Sequence, residues 1–188
     1  MTRAREARRS KRHASGFTLI ELMVTVAIVG VLATLAVYGV GKYIRSSKSS
    51  EAIQMIGSIK AAQEQYRAET FAYKDPNGDH TLTYYPATTP SNQAVAWGVA
   101  SPGQGAAFRE LGVRPDAPVR FVYGCAAGGG NDSVPGAGTS YTVTGWPTTQ
   151  TQPWYVVRAA GDLDADGTQS IFVSASFVDR IFIDNEGE

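Results

Sequence analysis

From Leu22 to Gly41 the chain runs for twenty residues without a charge, LMVTVAIVGVLATLAVYGVG. As a helix rising about 1.5 Å per residue, such a run spans about 30 Å, the thickness of the hydrocarbon core of a bilayer. A chain of 188 residues with this segment near its start is expected to place the segment in a membrane and to fold its C-terminal remainder outside it. Six basic residues precede the run, Arg3, Arg5, Arg8, Arg9, Lys11 and Arg12, and three come closely after it, Lys42, Arg45 and Lys48. The positive-inside bias then puts the N-terminus in the cytoplasm and the C-terminal bulk on the far side.

The formal net charge of zero hides an asymmetry. Residues 1–16 hold six bases against one acid, Glu6, and are +5; from Phe17 onward eleven basic and sixteen acidic residues give −5. The larger part is therefore acidic, which argues against a nucleic-acid binder. The single cysteine, Cys125, has no intrachain partner for a disulfide and is expected to be a small buried thiol. Catalysis finds little material. Beyond residue 16 the only histidine is His80, and no HExxH, paired CxxC or phosphate-binding glycine loop is present, so no enzyme is expected. A Cys125–His80 dyad is the one nucleophilic pairing the composition allows.

Past the apolar run, apolar positions recur at Ala52, Met55, Ile56, Ile59, Ala62 and Tyr66, a helical stripe, and there is no proline before Pro76. The helix is expected to continue to about Thr70, with one face buried against a folded head. Between Phe71 and Gln104 the turn chemistry of Asp75-Pro76-Asn77-Gly78, Thr89-Pro90-Ser91-Asn92 and Ser101-Pro102-Gly103 predicts a long connection, with a short strand at Thr81–Tyr85. A helical turn is expected at Ala106–Leu111 and a strand at Val119–Tyr123 that stops at Gly124. Exposed loops are expected over Ala126–Pro153, around one strand at Ser140–Gly145. Further strands are predicted at Trp154–Ala160, Gln169–Phe177 and Arg180–Asp184, all rich in Val, Ile, Phe or Tyr. The fold class is α+β: a long N-terminal helix packed on an antiparallel sheet of about four or five strands.

Residues 15–24 read Ser-Gly-Phe-Thr-Leu-Ile-Glu-Leu-Met-Val, directly behind the basic segment and at the mouth of the apolar run. This resembles the class III signal of type IV pilins and pseudopilins. The resemblance implies that residues 1–16 are a leader cut between Gly16 and Phe17 by a prepilin peptidase, which then methylates the new amino group of Phe17. It implies a helix over 17–70 and a pilin-like head over 71–188. Glu21 is physically odd, because a carboxylate at the end of an apolar span is costly unless it snorkels or finds a partner. In the family that glutamate is held to pair with the N-terminal ammonium of a neighbouring subunit, here Glu21 to Phe17 across chains. The implied partners are copies of the chain itself or mixed pilins, the prepilin peptidase, the membrane, and a pilus or type II secretion assembly machinery. The implied role is a pilus subunit in adhesion, motility or DNA uptake, or else a pseudopilin of a type II secretion system.

Two features depart from the family pattern: many pilins carry a proline within the span and a cysteine pair near the C-terminus, and neither is present here. A cleavable secretory signal ending after Ala36 is the competing reading, and Glu21 is out of place in it. One further motif stands apart from the signal. In Asp162-Leu-Asp164-Ala-Asp166-Gly167-Thr168 carboxylates alternate and a glycine comes next, like the opening of an EF-hand calcium loop. The twelfth position, a glutamate in the full motif, is Val173, so Asp179, Asp184 or water would have to close a Ca2+ site. A plain turn between two strands is the alternative.

Overall fold

A computed structural model describes residues 16–98 and 102–186. A 52-residue helix, α1 (Leu19–Thr70), is followed by β1 (Tyr84–Tyr85), α2 (Pro102–Glu110), β2 (Val122–Gly128), β3 (Trp154–Gly161), β4 (Ser170–Ala175) and β5 (Phe182–Asp184). The five strands form one antiparallel sheet in the order β1-β2-β3-β4-β5, so each strand pairs with its neighbour in sequence. The α+β architecture is the expected one. By packing, the chain divides into two units, ending and beginning at Gly41 and Lys42.

In the first unit α1 presents its apolar side chains outward on every side: Leu19, Leu22, Val26, Val29, Leu32 and Leu35 are all exposed. Leu19–Gly41 is long and apolar enough to cross a membrane by length and composition. The second unit has the opposite character. Its part of α1 buries Ala52, Met55, Ile56 and Ile59, with Ala62 and Tyr66 half-buried beside them, which is the predicted stripe. Against it pack Tyr123, Cys125, Ala127, Tyr155, Val157, Ala159 and Phe172 from one face of the sheet. Gln63 also lies on this buried face, where its amide donates to the Lys74 carbonyl at 2.7 Å and accepts from the Lys74 amide at 2.9 Å. It thereby ties the chain leaving α1 back onto the helix.

The sheet has a second buried face, and this corrects the expectation of plain exposed loops over Ala126–Pro153. Val134, Ala137 and Val143 from that stretch cover Ala126, Trp154, Val156, Val173 and Ala175. Within the same stretch Ser140–Gly145 is not a strand. Ser140 gives its backbone N–H and its hydroxyl to the Asp184 carboxylate, and the Tyr141 hydroxyl donates to the Ile183 carbonyl at 3.2 Å. Side chains thus hold the segment beside β5, and a turn at Gly145 (φ 82°) ends it before a backbone ladder forms.

Other boundaries moved: the strand expected at Thr81–Tyr85 is β1, Tyr84–Tyr85 only. Val119 makes only an isolated bridge to Val95, and β2 begins at Val122 and runs through Gly124 to Gly128. Gly124 does not end the strand; it pairs with Tyr84, and a Cβ there would stand 3.4 Å from the Thr83 carbonyl oxygen. A glycine inside a strand commonly marks such a close backbone approach. Helix α2 starts four residues before the predicted turn because Pro102 occupies its first position, where the missing N–H is not needed.

Candidate functional site

At the head of α1 Thr18 and Glu21 make a closed set of hydrogen bonds. The Thr18 backbone N–H and hydroxyl both donate to Glu21 Oε2, at 2.9 and 2.8 Å, and the Glu21 N–H donates to Thr18 Oγ1 at 3.3 Å. The first helical bond runs from Leu22 N to the Thr18 carbonyl. Thr18 is therefore the N-cap and Glu21 the third helical residue of a capping box. The carboxylate also lies where the positive end of the helix dipole favours it. The sequence reading missed this role of Thr18, although the spacing Thr-x-x-Glu before an apolar run was the signal for it.

Ahead of the box, Gly16 and Phe17 are exposed and precede the helix. A Cβ added at Gly16 would meet nothing within 4 Å among the described residues. Phe17 is 84% exposed. The basic segment of residues 1–15 lies outside the described residues.

Asp162, Asp164 and Asp166 come together: one oxygen from each lies within 4.8 Å of the others. Asp162 accepts from Gly167 N at 3.2 Å, Asp164 from Asp166 N at 3.4 Å, and Asp166 from Thr168 N at 2.6 Å. These bonds fold the loop on itself, with Ala165 (φ 65°) and Gly167 (φ 92°) both left-handed. Asp162 Oδ1 is buried with no hydrogen-bond partner in the structure. Val173 is in β4, paired with Arg158 and buried, and Asp184 is engaged by Ser140, so neither completes a shell around the three. The donor set suits a hard cation such as Ca2+, with water supplying the remaining ligands.

Cys125 and His80 are not partners. The thiol is buried, 3.1 Å from Gln63 Nε2, and burial pushes its pKa up to about 12, far from a thiolate nucleophile. The His80 ring instead has Nδ1 2.6 Å from the Ala127 carbonyl, which makes Nδ1 the protonated nitrogen, and it lies between Asp75 and Asp132 at 3.4 and 3.7 Å. This arrangement fastens the loop after α1 to the end of β2.

Residues 11–37 match the family model described as the prokaryotic N-terminal methylation motif. The chain is 41% identical over 59 residues to the fimbrial protein EcpC of Eikenella corrodens, covering 31% of this chain and 39% of that protein. It is 43% identical over 60 residues to the type IV major pilin protein PilA of Myxococcus xanthus strain DK1622, covering 32% and 27%. It is 44% identical over 63 residues to the type II secretion system core protein G of Pseudomonas aeruginosa, covering 34% and 44%. The chain thus spans less than half the length of these curated relatives. With the methylation motif at its N-terminus, an exposed apolar helix behind it and a helix-on-sheet head, the chain is similar to type IV pilins and pseudopilins.

Proposed function

We propose that the chain is a structural subunit of a type IV pilus, cut after Gly16, methylated at Phe17 and polymerised through α1. One observation carries this reading: a helix whose apolar side chains are exposed all round begins with a single carboxylate, Glu21, at its capped end. Such a helix has two stable surroundings, a bilayer and a bundle of its own kind. In the bilayer Glu21 sits near the cytoplasmic interface and is satisfied by Thr18. In the bundle it pairs with the Phe17 ammonium of the next chain. The order of states is then leader removal of residues 1–16 at the inner membrane, residence there as a single-pass protein with its N-terminus cytoplasmic, and extraction of residues 17–188 into a filament by the assembly machinery. The head, residues 71–188 together with the second half of α1, stays outside the membrane throughout.

Similarity to the type II secretion core protein favours a second reading, a pseudopilus subunit built by the same chemistry. Location separates the two: the pilus reading expects the chain in filaments sheared from cells, the pseudopilus reading in the periplasm alone. The cleavage is tested by Gly16→Val, which should leave a full-length precursor in the membrane because a branched side chain obstructs close approach of the peptidase. Mass spectrometry of wild type should find methylated Phe17 at the mature N-terminus. A normal-size mature chain from the variant, or a wild-type N-terminus at Val37, removes the assignment.

A further inference from the structure

Three side-chain hydrogen bonds decide where α1 begins. Thr18 is the last residue outside the helix; its backbone N–H and hydroxyl both donate to Glu21 Oε2, and its Oγ1 accepts the Glu21 N–H. Continuing the helix by one turn toward the leader would put Thr18 into helical backbone and hand the Glu21 N–H to the Phe17 carbonyl, four residues earlier. The bonds that close the box would then be given up. The box therefore opposes growth of the helix as well as capping the end it has.

That boundary has a chemical consequence at the bond in front of it. The first backbone bond of the helix runs from Leu22 N to the Thr18 carbonyl, and among the described residues none is made to the carbonyl of Gly16 or Phe17. In a helix one turn longer, the Ile20 N–H would hold the Gly16 carbonyl. Hydrolysis attacks this same carbonyl: water adds to it, the C–N bond to Phe17 breaks, and a Gly16 carboxylate and a Phe17 ammonium result. A peptidase needs that group free, so the hydrogen bonding of the backbone at the cut decides whether the bond is accessible. At the edge of an apolar medium the pull is the other way, because N–H and C=O groups that lack water are satisfied by helix. Gly16 and Phe17 are nonetheless exposed and outside the helix.

We infer that Thr18 is a positioning residue for leader removal: its hydroxyl stops α1 at Leu19 and so keeps the Gly16–Phe17 bond open to the peptidase. The inference rests on the proposed cut after Gly16 and adds to it what makes that bond accessible. The cap itself is a bond from the backbone N–H of residue 21, so it survives loss of the Glu21 side chain, and Glu21→Ala is still cut.

The test follows leader removal from the full chain in pulse-labelled cells that hold the prepilin peptidase. Thr18→Val keeps the shape and loses the hydroxyl; its cleavage rate should fall about fivefold, the factor carried by loss of a typical N-cap. Thr18→Ser and Thr18→Asn, cap formers of different shape, should each restore a rate near that of wild type. Thr18→Val cut at the wild-type rate overturns the inference and leaves the cleavage reading intact. Restoration by Thr18→Ser alone, or by neither, overturns it too, because the peptidase then reads the threonine directly. If wild type is not cut after Gly16, the cleavage reading fails and the inference with it. Carbon chemical shifts of Gly16 and Phe17 in the detergent-solubilised precursor give a readout without the enzyme. They should be non-helical in wild type and Thr18→Asn and move toward helical values in Thr18→Val; shifts unchanged by Thr18→Val also overturn the inference.

Discussion

Glu21 needs a hydrogen-bond donor in whatever medium surrounds it, and the capping box supplies two from Thr18. That makes the carboxylate tolerable in a lone chain, where an unpaired charge in hydrocarbon would cost several kcal/mol. In the proposed assembly Glu21 would exchange these neutral donors for an ammonium, a gain that is largest where water is excluded. Glu21→Ala should therefore still be inserted and cleaved but be missing from filaments, since the buried Phe17 ammonium loses its counter-charge. Wild-type amounts in sheared filaments would contradict the pairing. Thr18 was legible as part of the motif, and the spacing Thr-x-x-Glu ahead of an apolar run also marks it as a cap. Cys125 was legible from the burial habit of free thiols, and its consequence is a pH dependence. Burial raises the thiol from 9.0 to about 12 and pushes the Tyr123 and Tyr155 hydroxyls up as well. In each case the folded state holds its proton where the unfolded state releases it: the thiol's contribution is complete below pH 9 and is lost as pH climbs toward 12, and the decline from the two tyrosines begins only above pH 10.0. Denaturant midpoints of the full chain in detergent should fall across that interval. Replacing Cys125 with Ala should flatten its share of the fall, and a curve unchanged by the replacement would remove the thiol from the account.

The elements whose apolar pattern alone decides their fate were readable. The helical stripe from Ala52 to Tyr66 and the Val- and Ile-rich runs of β3 and β4 can bury their side chains in only one regular way, and they did. What was not readable depends on a partner distant in sequence. Gly124 suggested a strand end, whereas the tight passage of Thr83 beside it explains the glycine. Ser140 to Gly145 alternated like a strand, yet the Asp184 carboxylate took the N–H that a ladder would have used. The Asp162–Thr168 loop belongs to this scale too, because its three carboxylates are each half spent on the turn. A cation would take the oxygens the turn leaves over, the buried Asp162 Oδ1 among them, and an incomplete shell predicts weak binding, on the order of 10⁻⁴ to 10⁻³ M. Calcium at tenfold excess over that constant should stabilise the folded chain by roughly 1.4 kcal/mol. Thermal melting of the detergent-solubilised chain with calcium and with chelator checks this, and Asp164→Ala should abolish the difference. Equal melting temperatures for wild type under both conditions would leave the loop a turn only.

At the scale of the molecule, the first unit and the second obey different solvents. Among the described residues neither buried cluster contains a residue before Ala52, and the side chains up to Val37 are exposed. The head has a core of its own in the helix stripe and the two faces of its sheet, with ties such as Gln63 to Lys74. Glu51 adds another, accepting the Arg120 N–H at 2.8 Å. A fragment covering 42–188 should accordingly fold alone, stay in solution without detergent and unfold in one cooperative transition, as small single domains usually do. Without the apolar helix the fragment should sediment as a monomer. It should also fail to enter filaments when supplied alongside the full chain, because the Glu21 and Phe17 pair is missing. Sedimentation and calorimetry on the fragment decide the matter. Aggregation, or melting without a cooperative transition, would mean that the apolar half of α1 takes part in the fold of the head.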